Sequence, residues 1–329
     1  MPSAIPNWTG RMPLRGGPLA LLVLAWFAGR IGVLFSEATG AAAAAVLDLL
    51  FPLAFLGVVA REIIGGRNWR NLPMLAALGF LLLGNVLVHL EAVGLAETAT
   101  LGNQLGIATL ALLISVVGGR IIPSFTRNWL VKHRPDVRAP AAFTWFDRTV
   151  LTLTAVALVA WLLIPDAIVT SGLCLAAGLG QWTRLARWRG LATMREPLLW
   201  VLHLGYGWLG LGFCLLGLNG VPQWLPPFVA LHALTVGAIG TMTLAVMTRA
   251  TLGHTGRPLV AGPGTTTIYG LMTAAALCRL FAPFAGAQYM TVLSVAGFAW
   301  SAAFGLFAVL YLRPLALPGV PRGVEARPI

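Results

Sequence analysis

Long apolar runs separated by short polar stretches pattern this chain from end to end. A helix needs about 17–25 mostly apolar residues to cross the hydrocarbon core of a bilayer. Ten runs of that length fall near 18–36, 43–63, 72–94, 99–119, 148–164, 167–186, 197–218, 227–249, 266–284 and 288–312. Pro165-Asp166 splits what would otherwise be one overlong run, and Asn219-Gly220-Val221-Pro222 and Pro283 mark other turns. The residue-by-residue alternation of a membrane barrel is absent. The pattern predicts an all-α polytopic transmembrane helical bundle of about ten spans, a single integral membrane domain covering 1–329.

Composition agrees with the pattern. The 329 residues are 58% hydrophobic and only 10% charged, against roughly 25% charged in a soluble protein. Mean hydropathy is +0.84. These values exclude a soluble enzyme, a disordered chain and a disulfide-rich secreted module. The opening MPSAIPNWTGRMPLRGG has no apolar core of its own and does not read as a secretory leader.

A formal net charge of +12 would suggest nucleic acid in a soluble protein. Here the charges sort by segment. Of the 22 Lys and Arg residues, all but Arg30 and Arg279 lie in alternate connections. These are Arg11 and Arg15; Arg61, Arg67 and Arg70; Arg120, Arg127, Lys132, Arg134, Arg138 and Arg148; Arg184, Arg187, Arg189 and Arg195; Arg249 and Arg257; and Arg313, Arg322 and Arg327. The intervening segments near 37–42, 95–98, 165–166, 219–226 and 285–287 carry no Lys or Arg, and Glu37, Glu97 and Asp166 instead. The positive-inside rule then places both termini in the cytoplasm. The charge records topology in a multi-pass membrane protein, its partner the lipid bilayer and not nucleic acid.

Arg30 and Arg279 fall inside predicted spans, where charge is costly. Each either snorkels or pairs with a neighbouring helix, for example through Asp48, or else anchors an acidic ligand or a cofactor carboxylate. Cys174, Cys214 and Cys278 stand singly in apolar runs and read as small buried residues. Most of the twelve Trp lie near span ends, as an interfacial belt.

Five histidines carry the candidate chemistry. His133, in the polar VKHRPD stretch, reads as solvated. His89, in GNVLVHLEA near Asn85 and Glu91, and His232, in FVALHALTVG, both fall in the outer third of their spans. His203 falls in the inner third of the seventh span, and His254 follows the eighth on the cytoplasmic side. A helical separation of about 33 Å between His232 and His254 keeps those two from one ion. The four divide by depth, His89 with His232 and His203 with His254. Neutral imidazole is a common ligand of haem iron, copper and zinc, so His89, His232, His203 and His254 are candidate cofactor-binding residues and His89 and His232 candidate metal ligands. The competing reading is a histidine that hydrogen-bonds a neighbouring helix.

IPNWTGR at 5–11, GGRIIPSFTRN at 118–128, QWTRLARWRG at 181–190, EPLLWVLHLGYGWLGLG at 196–212, LHALTVGAIGTMTLAVMTRATLGHTGRPL at 231–259 and YLRPLALPGVPR at 311–322 together resemble the NnrS family of bacterial integral membrane proteins. The resemblance implies an association with denitrification and the response to nitric oxide, with haem and copper as cofactors and nitric oxide or nitrosylated metal species as partners. It also implies two further helices ahead of the PNWTG motif, the second ending at its outer end in a His-x-His-Glu motif. This sequence starts just after that point, so either the coding region begins upstream or the member is short. On the deduced topology those histidines would stand at the depth of His89 and His232. The expectation is one shared metal or haem site, of which the chain as written holds half.

The leading expectation is a metal- or haem-binding membrane protein of the nitrosative stress response. Intramembrane carboxylates are sparse (Asp48 and Glu91), and neither a nucleotide-binding loop nor a flavin fingerprint is present, so the reading leans away from an enzyme. The alternative is a transporter or channel without a redox cofactor, which the Gly- and Pro-interrupted spans and the buried arginines would suit.

Overall fold

The computed structural model describes residue 14, residues 16–219 and residues 226–317. Arg11, Arg15, Arg322 and Arg327, the IPNWTGR signature and the Gly220-Val221-Pro222 turn lie outside the described residues. Among the described residues every regular element is helical and no strand occurs. The expected all-α polytopic bundle is the fold observed.

In chain order the principal helices are α1 (Gly17–Leu34), α2 (Ala41–Gly65), α3 (Leu72–Ala92), α4 (Ala99–Leu113), α5 (Gly119–His133), α6 (Trp145–Leu163), α7 (Ile168–Ala186), α8 (Pro197–Leu218), α9 (Pro227–His232), α10 (Thr241–His254), α11 (Pro263–Phe281) and α12 (Tyr289–Ala316). A π-helical turn, Ile114–Gly118, joins α4 to α5, and a longer one, Ala233–Gly240, joins α9 to α10. Local chemistry sets several starts. Thr144 and Asp147 form a reciprocal capping box at the head of α6. Glu196 accepts from the Leu198 N–H ahead of Pro197 at the head of α8, where a missing N–H costs nothing.

Nine helical runs among the described residues are long and apolar enough to cross a membrane. They match nine of the ten expected spans. The tenth, at 167–186, is helix α7 and has the length, 19 residues, but not the apolarity to stand with the other nine. The reason is its cargo: Gln181 and Arg184, both buried, project from α7 into the packed interior. The widest departure is in the fourth span. The sequence reading ends it at 119, whereas the helical run continues unbroken to His133. Past the apolar stretch the helix becomes amphipathic, with Ile122, Thr126 and Leu130 buried at successive four-residue spacings. That buried stripe holds the segment helical even though its exposed face is polar.

The chain forms two compact units, residues 1–109 and 110–329. In the first, α2 packs against both α1 and α3. The backbones of α3 and α4 approach closely at Gly84 and Gly102, where a Cβ on Gly84 would lie 2.8 Å from the Gly102 carbonyl. Small residues that let backbones touch are how helices associate in lipid. In the second unit α8 is the central helix, with α7, the 233–240 segment and α10 packed around it, while α11 and α12 pair alongside. Residues of α8 that are fully buried run from Leu198 to Phe213.

Candidate functional site

Three helices of the first unit meet at one buried carboxylate. Asp48 on α2 is ion-paired with Arg30 of α1 and accepts from Asn85 Nδ2 of α3 at 2.8 Å; it also lies 3.1 Å from His89 Nε2 on the same helix. Arg30 therefore has the interhelical partner considered from sequence. A carboxylate only accepts, so Nε2 of His89 donates to Asp48, and Nδ1 has no hydrogen-bond partner among the described residues. An imidazole held through one nitrogen by a carboxylate, its other nitrogen free, is the arrangement that orients histidine ligands in metal sites.

The other three expected residues lie in the second unit, in different settings. His232 ends α9, half-buried, its ring centroid 5.9 Å from that of Phe228. The charge of Arg279 acts on it, and neither ring nitrogen has a hydrogen-bond partner among the described residues. His203 has both nitrogens engaged: Nδ1 lies 3.0 Å from the Leu199 carbonyl and Nε2 lies 3.3 Å from the Thr126 hydroxyl. Since Nδ1 must donate to the carbonyl, the threonine hydroxyl takes the remaining lone pair. His254 is exposed and borders a cavity of about 310 Å³ with Phe125, Arg249 and Leu259. His133 is also exposed, its Nδ1 3.0 Å from the Trp129 carbonyl. Among the described residues no three His, Cys, Asp or Glu side chains are grouped so as to hold a metal ion. His89 in the first unit and His232 in the second each present a single imidazole with a ring nitrogen that has no hydrogen-bond partner among the described residues. They do not make a multi-donor copper site on their own.

A second polar centre was missed by the sequence reading. Arg184, counted there as one more topology charge, has no exposed surface at all. Its Nε donates to Asp147 Oδ1 at 3.1 Å, and its Nη1 to the Gln181 Oε1 at 3.1 Å, the Tyr206 hydroxyl at 2.6 Å and the Ser115 carbonyl at 3.3 Å. Gln181 in turn donates to Ser115 Oγ and Thr154 Oγ1. Arg187 donates to the other oxygen of Asp147 at 3.1 Å and to the Thr144 hydroxyl. The π-helical turn at 114–118 supplies the Ser115 groups, a common use of such turns. One signal was available beforehand: Thr144-x-x-Asp147 ahead of an apolar run is a capping-box pattern. It locates Asp147 at a helix start but not the arginine that reaches it.

At the aqueous end of α8, burial raises the Glu196 carboxyl above the ordinary carboxylate range. The Leu198 N–H and the charges of Arg249 and His133 pull it back only in part.

The family model described as NnrS protein matches residues 2–318. The chain belongs to the NnrS family. That family match and the nine apolar runs make it a multi-pass membrane protein. No curated protein and no solved structure matches it. The NnrS signatures in the second unit fall on the elements just described: 118–128 on α5, 181–190 at the end of α7, and 196–212 along α8.

Proposed function

We propose that this NnrS protein serves the response to nitric oxide in a bacterial inner membrane, its arginine-rich ends and both termini facing the cytoplasm. In this reading it binds haem through intramembrane histidines, with His89 of the first unit and His232 of the second each a candidate donor in its own unit. One observation carries the assignment. Of the three histidines placed within the spans, His89 and His232 retain a free ring nitrogen, whereas His203 has both engaged; His254 is exposed at the end of its helix. Asp48, with Arg30 and Asn85, holds the His89 ring in one tautomer and one orientation. When bound, haem iron would supply the coordination position for a diatomic ligand such as nitric oxide. Copper, implied by the family, requires donors beyond those grouped here.

The test is haem content, read as Soret absorbance per mole of the purified full chain, in single and double alanine variants. His89→Ala and His232→Ala are expected to lower it, and His203→Ala to leave it unchanged. Unaltered haem content in the His89→Ala/His232→Ala double variant would sink the proposal. Substrate flux in liposomes by a metal-free preparation would favour the transporter reading instead.

A further inference from the structure

The arginines of the GGRIIPSFTRN signature have no part in the reading above. The helical run from Ala99 to His133 has 35 residues and is therefore about 52 Å long, against about 30 Å of hydrocarbon. Its apolar part ends at Gly118, so the first turns of α5 stand at headgroup level. There Arg120, Ser124 and Arg127 lie at spacings of four and three, on one helix face. They border a cavity of about 430 Å³ whose other walls include Asp147, Trp188 and Phe143.

The charges at this cavity do not balance. Its single carboxylate, Asp147, is already shared by Arg184 and Arg187. Arg120 and Arg127 have no acidic partner among the described residues. The two arginines that line the cavity, Arg120 and Arg127, thus share it with a carboxylate whose charge is already matched from behind the wall. Behind the wall, the fully buried Arg184 leaves its Nη2 without a hydrogen-bond partner. That nitrogen lies against Gly119, itself part of the cavity lining, and a Cβ at Gly119 would collide with it. Residue 119 is thus small where an unsatisfied, charged donor comes up to the cavity wall. Arg184 does not itself line the cavity, so its charge favours an anion there through space and not by a hydrogen bond.

We propose that this cavity is a binding site for a phosphate group, held by Arg120, Arg127 and Ser124 over the field of Arg184. Guanidinium and hydroxyl donors are matched to the tetrahedral oxygens of phosphate. At headgroup depth the group belongs either to an anionic phospholipid or to a soluble phosphate compound.

The test uses the full chain and follows thermal unfolding by tryptophan fluorescence. One arm compares inorganic phosphate with chloride at equal ionic strength in detergent. The other compares nanodiscs of phosphatidylglycerol with nanodiscs of phosphatidylcholine. A site filled at a hundredfold excess over Kd is expected to raise the midpoint by about 5 °C or more. Arg120→Gln/Arg127→Gln should abolish that rise, Arg120→Lys/Arg127→Lys should keep part of it, and Arg67→Gln/Arg70→Gln in the first unit should leave it whole. A rise in the detergent arm assigns soluble phosphate, and a rise only in the nanodisc arm assigns the lipid headgroup. No rise in either arm, or equal rises in wild type and the Gln/Gln variant, overturns the proposal. Should that variant fail to accumulate, Ser124→Glu, at an exposed position, places a carboxylate among the same arginines and is expected to abolish the rise.

Discussion

Replacing Asp147 by Asn tests whether the second unit is organised around Arg184. The substitution keeps the size of the side chain and an oxygen for the Thr144 cap but removes the negative charge. Arg184 has no exposed surface, so the bilayer and solvent cannot screen what is left behind. Its other acceptors are the neutral oxygens of Gln181, Tyr206 and Ser115. Removing one partner of a buried ion pair costs about 3–5 kcal/mol, a large share of the 5–15 kcal/mol that holds a typical domain together. At about 2–4 °C per kcal/mol for a unit of this size, the thermal midpoint in detergent should fall by roughly 10 °C. Adding Arg184→Met, which removes the stranded charge and keeps much of the volume, should restore part of the loss. The readout is the fraction of monodisperse protein surviving a heating series on size-exclusion chromatography. An Asp147→Asn protein within 2 °C of wild type, expected from none of this, would refute the electrostatic account. So would a double variant that is worse than Asp147→Asn alone.

Other substitutions probe separate parts of the molecule. Gly102→Ala should cost about 1–3 kcal/mol, because the new Cβ meets the Gly84 carbonyl, a backbone group that cannot swing aside. Gly172→Ala, with open space at the Cβ position, should be neutral or stabilising by up to about 1 kcal/mol; thermal midpoints compare the two. His203→Ala should cost about 1–3 kcal/mol by removing the partner of the Thr126 hydroxyl, with haem absorbance unchanged. Glu196 has a folded-state pKa raised above its ordinary 4.5, chiefly by burial. It therefore contributes most to stability below that value and loses the contribution as pH rises through the folded-state pKa. Glu196→Gln should accordingly flatten the pH dependence of the midpoint between about pH 4.5 and neutrality, and be no less stable than wild type at pH 7. A steeper profile in the variant would contradict this reading.

Much of the helical layout is legible in the order of residues, because a span must be apolar over a length set by the bilayer. The expected 197–218 run and helix α8 coincide, and no other span starts more than a few residues away from its expected position. Two cases show where that rule stops. Helix α7 has a span's length but carries Gln181 and Arg184, whose burial depends on acceptors from α6, α8 and the 114–118 turn. Helix α5 continues the fourth span by fourteen residues beyond the expected end at 119, because its buried stripe packs on its own unit and not on lipid.

The candidate sites divide in the same way. That His89, His232 and His203 stand within apolar helices follows from hydropathy alone, since each lies inside a run long enough to be a span. Which of them keeps a lone pair does not. That depends on side chains remote in sequence, Asp48 for His89 and Thr126 for His203, brought near by helix packing. The sign and sorting of charge likewise follow from sequence, because the cost of moving arginine across a membrane acts on each connecting segment separately. Whether an arginine is an exposed loop charge, as at Arg67, or the buried centre of a network, as at Arg184, was decided only by the tertiary structure. Burial and pairing are properties of what surrounds a side chain: Gln181 is one turn from Arg184 on the same helix, but residues 115, 147 and 206 become its neighbours only once four helical segments have packed.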